Sequence, residues 1–119
     1  MMIKRLWILL LLITSPALAG EVDVVKVTFS QNDAGDYRFD VTLRHADEGW
    51  NHYANKWEIV APDNSLLATR VLHHPHVNEQ PFTRSLDGIN IPEGINAVTL
   101  QGHDSVHGYG GETIRISLP

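Results

Sequence analysis

The segment Tyr37-Arg38-Phe39-Asp40-Val41-Thr42-Leu43-Arg44 decides the fold, because apolar and polar side chains alternate at every position. A period of two is typical of a β-strand with one buried face and one solvated face. The same alternation recurs in residues 25–30, 56–61 and 113–118. These four segments predict strands that are spread along the whole chain.

Turn-forming residues separate these segments and indicate further strands. Residues 62–65 read Pro-Asp-Asn-Ser and predict a tight turn into a strand over 66–72. A weaker strand is expected over 82–86, and another over 95–102. The glycines of residues 108–111 then allow a sharp reversal into the last strand.

Seven short strands in about 100 residues predict one all-β domain, an antiparallel β-sandwich of the immunoglobulin or fibronectin type. Trp57 is in phase with a central strand and is expected to anchor the core. A small closed or partly open barrel is the alternative. Residues 49–55 are ambiguous, because Trp50, Tyr53 and Trp57 also fit one and a half turns of a helix.

Residues 1–19 have the three parts of a secretory signal, namely a basic start, an apolar run and a small-residue cleavage site. In order, these are Lys4 and Arg5, residues 6–13, and Ala17-Leu18-Ala19. The apolar run is shorter than the roughly 20 residues that span a bilayer. We therefore expect cleavage before Gly20, a periplasmic or secreted domain of residues 20–119, and no membrane insertion after cleavage.

Charge and composition exclude several classes of partner. The chain has nine Lys and Arg against 14 Asp and Glu, and two of the basic residues lie in the predicted signal, which leaves a formal charge of −7 on residues 20–119. Nucleic acids and anionic membranes need a basic footprint, so neither partner is expected. There is no cysteine, which excludes disulfides and thiolate ligands.

Histidine is the one metal-binding residue type in which the predicted domain is rich. All seven histidines lie in residues 20–119, at His45, His52, His73, His74, His76, His103 and His107. If the strands run alternately up and down, the connections 46–55, 74–81 and 104–111 fall at the same end of the domain. Each histidine lies in one of these connections or at the end of a strand that leads into one.

This convergence predicts a metal site built from loops at one end of the sandwich. Imidazole nitrogens with carboxylates suit Zn(II), Cu(II) or Ni(II). His52, His74, His76 and His107 come from three connections and are expected to share one ion as exposed loop residues. The strand-end histidines His73, His103 and His45 are further candidates. No zinc-finger spacing or helical two-histidine motif is present.

Other residues at the same end are candidates for binding a partner. Trp50, Tyr53 and Tyr109 could stack on a sugar ring or a protein, although a cap over the end of the core is favoured. Asp104 and Glu79 add carboxylates. An ion pair and the entry of Phe82 into the core are expected to fix the segment 79–84.

No catalytic residues are predicted. Ser105 lies near His103, Asp104 and His107, but adjacency in sequence is not the geometry of a catalytic triad. No nucleophile-elbow pattern surrounds this serine. We therefore expect a protein that is not an enzyme.

Two runs carry a resemblance to a family of short exported bacterial proteins. They are Val71-Leu72-His73-His74-Pro75-His76-Val77-Asn78-Glu79-Gln80-Pro81-Phe82-Thr83-Arg84-Ser85 and Asp104-Ser105-Val106-His107-Gly108-Tyr109-Gly110-Gly111, and residues 49–54 are similar to a third run. The resemblance implies export and a single small domain. It carries no activity and no ligand residues.

The sequence thus favours a non-enzymatic periplasmic module that binds a divalent transition metal, or a metal-bearing ligand, through its histidine-rich loops. The alternative is a module that uses the same aromatic and histidine loops to recognise a protein or an envelope component.

Overall fold

The computed structural model describes residues 21–119, so the predicted signal segment 1–19 lies outside the described residues. Seven strands account for the regular structure of this part of the chain. In chain order they are β1 (Asp23–Gln31), β2 (Tyr37–Arg44), β3 (Ala54–Val60), β4 (Leu66–Val71), β5 (Phe82–Ile89), β6 (Ala97–Asp104) and β7 (Ile114–Ser117). Residues 49–52 form a turn rather than part of a helix, with an isolated bridge between Gly49 and His52, and residues 54 and 55 already belong to β3.

The strands form two sheets, with the orders β1-β2-β5 and β4-β3-β6-β7. Every pair is antiparallel. The predicted seven-stranded sandwich is confirmed, and the alternative of a closed barrel is wrong because the two sheets remain separate. Strand β1 begins beside the end of β2, since Asp23 pairs with Arg44.

The core lies between the sheets and follows the period of two in β2. Tyr37, Phe39, Val41 and Leu43 are buried, and the residues between them are exposed or half-buried. Trp57 in β3 is fully buried, as predicted. Burying an indole removes on the order of 200 Å² from water, which stabilises the fold by about 5 kcal/mol.

Glu58 departs from the predicted alternation, because its side chain lies under a polar cover on the outer face of β3. The Tyr109 hydroxyl and the Gln101 amide donate to Glu58 Oε1 at 2.9 and 3.0 Å, and Lys56 Nζ lies 3.3 Å from Oε2. Burial raises the pKa of Glu58, but these three partners outweigh burial and hold the pKa below its usual value. Tyr109 thereby ties the β6–β7 connection to the sheet.

The three connections that the strand count placed together do meet at one end, which we call the histidine end (residues 45–55, 73–81 and 103–111). The backbone N–H of His76 donates to Asp47 Oδ2 at 2.7 Å. On the other side, the backbone N–H of Ser105 donates to the Tyr53 carbonyl at 2.9 Å. Asp47 and Tyr53 belong to the same connection, so this connection is the middle of the three.

Candidate metal centre

Asp104 is the centre of the candidate site. It is the last residue of β6 and is fully buried, so the prediction that placed it in a loop is wrong. Its Oδ1 accepts the backbone N–H groups of Val106 and His107 at 2.6 and 2.8 Å. The chain turns back at Gly108, whose positive φ of 75° favours glycine. The turn thus orients one carboxylate oxygen and leaves Oδ2 for other partners.

Two imidazoles share that second oxygen. His45 Nε2 contacts Asp104 Oδ2, and His52 Nε2 lies 2.7 Å from the same atom. The two rings are 5.1 Å apart and nearly perpendicular. One ligand atom from each of the three residues lies within 4.8 Å of the other two, and among residues 21–119 no other group of three or more His, Asp or Glu has this spacing.

A second carboxylate backs each imidazole. His45 Nδ1 contacts Asp47 Oδ1, and His52 Nδ1 lies 2.6 Å from Glu48 Oε1. The Ala54 and His76 backbone N–H groups hold Asp47 in place. Metal-binding histidines in proteins characteristically give their remaining nitrogen to a carboxylate, which fixes the tautomer and the ring orientation. Both imidazoles here have that arrangement.

His107 stands at the opening of the cluster. Its Nδ1 is 3.4 Å from Asp104 Oδ1, and its ring is 5.0 Å from that of His52. The side chains of His45, Asp47 and Asp104 are fully buried, whereas those of His52 and His107 are 15% and 45% exposed. The cluster therefore reaches solvent on the side of His52 and His107.

The electrostatics of the cluster favour a cation. Burial raises the pKa of Asp104, but the backbone N–H groups of His107 and Val106 and the two imidazoles outweigh it and hold that pKa far below its usual range. With neutral imidazoles, the buried Asp47 and Asp104 carry a formal charge of −2, and the exposed Glu48 adds one more negative charge. Buried charge of one sign is costly unless protons or a metal ion compensate it.

His74 and His76 form a separate pair rather than joining His52 and His107. Their rings are 4.8 Å apart, and the His76 ring stacks on Phe82 at 4.0 Å. His76 is only 6% exposed, so the prediction of an exposed loop residue is wrong for it. Burial, Arg84 and His74 lower the pKa of His76, against weaker opposing effects from Glu79 and Asp47.

The remaining two histidines lie outside both groups. His103 Nδ1 is 2.7 Å from Asn55 Oδ1, and its ring packs edge-on against Tyr109. Burial and then Lys56 lower the pKa of His103. His73 is exposed next to the buried Leu72.

The aromatic residues of the histidine end do not cap the core as predicted. Trp50 is 68% exposed at the turn of residues 49–52, and Tyr109 is 48% exposed above Glu58. Tyr53 is half-buried and packs edge-on against Trp50 at 5.8 Å. The indole lies outside the core because the Gly49–His52 bridge turns the chain back before β3.

The segment 79–84 is fixed as predicted. Arg84 Nη2 lies 3.1 Å from Glu79 Oε1, and Phe82 is buried. Glu79 is thus held by an ion pair with Arg84 and is not part of the group formed by His45, His52 and Asp104. The carboxylates that do back the imidazoles are Asp47 and Glu48, which lie in the 46–55 connection but are not among the site residues that the sequence predicts. Their signal was a carboxylate two residues after His45 and another four before His52.

The fold and the site define a β-sandwich with a buried carboxylate–histidine cluster at one end. A protein of Halomicrobium mukohataei that bears the name "Putative lipoprotein" is 40% identical to this chain over 101 residues. The match covers 85% of this chain and 49% of that protein, so the chain spans about half the length of this relative. No family model and no solved structure matches the chain. Over residues 21–119, no helix has the length and apolar character needed to cross a membrane.

Proposed function

We propose that this protein is an exported, non-enzymatic module that binds a divalent transition metal. His45, His52 and Asp104 are the ligands, and His107 is the fourth donor. The observation that carries the proposal is that two imidazoles meet at one carboxylate oxygen, while a second carboxylate backs each of them.

The donor set narrows the choice of metal. Imidazole nitrogens with one carboxylate oxygen suit Zn(II), Cu(II) and Ni(II), and a set of four N and O donors matches the tetrahedral geometry that zinc prefers. Metal binding would replace the protons shared between the imidazoles and Asp104, because the ligands must lose their protons to bind.

Burial supports binding rather than catalysis. Catalytic zinc sites keep one position open to substrate. Here His45 and Asp104 are closed off by the fold, and His107 stands at the exposed side. Four protein donors would leave no open position for a substrate.

The proposed location is the cell envelope or outside the cell. The signal features of residues 1–19 support export, and the name of the 40% identical relative describes that protein as a lipoprotein. A periplasmic or secreted destination fits both observations.

Zinc titration of the tag-free protein tests the proposal. We expect one zinc ion per chain by calorimetry, and at 100 times Kd a gain of about 2.7 kcal/mol in the free energy of unfolding by mass action. His52→Ala should weaken binding at least tenfold because it removes a ligand, whereas His73→Ala should leave Kd unchanged. A Kd above about 0.1 mM for the wild type, near −5.5 kcal/mol, would overturn the proposal.

The carboxylate behind His52 should tune the affinity without being a ligand. Glu48→Gln is expected to weaken zinc binding by about 10- to 100-fold, the usual loss for such backing groups. Stability without metal should change by less than about 0.5 kcal/mol, because the Glu48 side chain is 70% exposed. Glu93→Gln, an exposed change of equal charge in the 90–96 connection at the opposite end, is the control. Equal zinc affinities for Glu48→Gln and Glu93→Gln would show that Glu48 does not support the site.

Recognition of a protein or an envelope component is the second candidate function, and the exposure of Trp50 favours it. An exposed indole offers a large rigid contact surface. The zinc titration separates the two functions, because recognition through Trp50 needs no ion.

A further inference from the structure

His76 is unusual in its hydrogen bonding. Its side chain belongs to a residue that is only 6% exposed, yet neither Nδ1 nor Nε2 has a hydrogen-bond partner within the part of the chain that the structure describes. Its backbone is well bonded, since the N–H donates to Asp47 and the carbonyl accepts from Gln80 Nε2 at 3.0 Å. Buried polar groups without partners are rare in native proteins, and each points to water, an ion or a ligand.

His74 lies next to those nitrogens. The two histidines flank Pro75, whose ring restricts the backbone between them. Their rings are 4.8 Å apart and inclined by 41°. His74 Nδ1 lies 3.3 Å from the Pro75 carbonyl oxygen. If Nδ1 donates its proton to that carbonyl, the lone pair is left on Nε2, the usual arrangement for a metal-binding histidine.

The pair opens onto a shallow groove that supplies further donors. Asn78, Glu79 and Trp50 line the groove together with the two histidines. An amide oxygen, a carboxylate and water could complete the coordination of an ion that two imidazoles hold. The His76 ring stacks on Phe82, which fixes one ligand while the exposed His74 remains free to adjust.

We propose that His74 and His76 form a second transition-metal site, separate from the Asp104 centre, which takes Cu²⁺ from solution. Imidazole ligands suit copper(II), and copper binds most tightly of the divalent first-row ions at sites of this type. This inference goes beyond the proposed function and does not depend on it, because it rests on different ligands and on two His76 nitrogens that have no partner among residues 21–119.

Copper titration of the full, tag-free protein tests the second site. We expect two Cu²⁺ per chain for the wild type. His74→Ala should remove one of them or weaken its binding at least tenfold, and His73→Ala, its exposed neighbour, should leave both. His52→Ala should retain the copper bound by His74 and His76. This copper should still quench the fluorescence of Trp50, which lines the same groove. The double variant His52→Ala/His74→Ala should lose that quenching.

A variant that keeps the packing on Phe82 distinguishes the loss of a ligand from a failure to fold. His76→Phe retains a flat ring on Phe82 and removes both nitrogens, so it should fold with an unchanged or higher melting temperature and lose the same copper ion. Two ions retained in His74→Ala, or a Kd above about 0.1 mM for the second ion, would overturn the inference. Loss of all copper in His52→Ala would also overturn it while leaving the Asp104 centre intact. If His74→Ala loses copper and His52→Ala loses none, the result would support the second site and contradict the proposed Asp104 centre.

Discussion

Replacing Asp104 with Ala is expected to destabilise the domain by about 3–5 kcal/mol without any metal, because the change removes a buried charged acceptor that four nitrogens share. Asp104 receives two backbone N–H groups and contacts both His45 and His52. In a domain of about 100 residues, a loss of this size should lower the melting temperature by more than about 12 °C. Thermal and urea unfolding of the metal-free protein measure it.

Asp104→Asn is the matched variant. Its amide oxygen can still accept from Val106 and His107, but its NH₂ group faces the two imidazoles, so we expect a smaller loss than for Ala. Zinc binding should fail in both variants. If Asp104→Ala unfolds within about 1 kcal/mol of the wild type, the cluster does not hold this end of the domain together.

The stability difference between the wild type and Asp104→Asn should depend on pH in a defined direction. The folded-state pKa of Asp104 lies below its usual value, so the carboxylate contributes stability above the unfolded pKa of about 3.9 and loses it as the pH falls toward the folded value. The stability difference between the wild type and Asp104→Asn should therefore narrow as the pH is lowered below about 4. A constant difference between pH 6 and pH 3 would contradict this assignment.

The second large effect is expected at the centre of the core. Trp57→Ala should cost about 3–5 kcal/mol, because it removes a fully buried indole and leaves a cavity between the sheets. Trp57→Phe should cost clearly less. The buried Trp57 Nε1 has no hydrogen-bond partner among the described residues, and the removal of an unsatisfied donor offsets part of the lost packing.

Urea unfolding of both Trp57 variants measures the difference. A Phe variant as unstable as the Ala variant would mean that the indole N–H does have a partner in solution. Zinc affinity should be unchanged in the Phe variant, because Trp57 is not one of the proposed ligands.

The strands could be predicted from the sequence because each depends on a local period of two. The shared end of the histidines could also be predicted, since counting alternate strands needs only chain order. The residues that form the cluster could not, because His45 and Asp104 are 59 residues apart and meet through the pairing of β3 with β6 and the packing of the two sheets. No local pattern indicates that Asp104 is buried.

The errors in side-chain burial have the same origin. The alternation of polar and apolar residues in β3 predicts that Glu58 faces solvent. The β6–β7 connection folds back over the sheet, and its Tyr109 covers Glu58. His76 was expected to be exposed because it lies in a loop, but Phe82 provides an aromatic surface on which it stacks. In each case the partner comes from another part of the chain.

The first strand begins, and the last strand finishes, at opposite ends of the domain. The Glu112 N–H donates to Asp23 Oδ1 at 2.8 Å, so the chain enters the fold next to the connection that carries His107. The last strand runs the other way, and the Leu118 N–H bonds to Asn96 at the opposite end. Strand β1 therefore begins at the end of the domain that holds the proposed metal centre. A label or fusion partner placed after Pro119 would lie at the opposite end, away from the proposed metal centre.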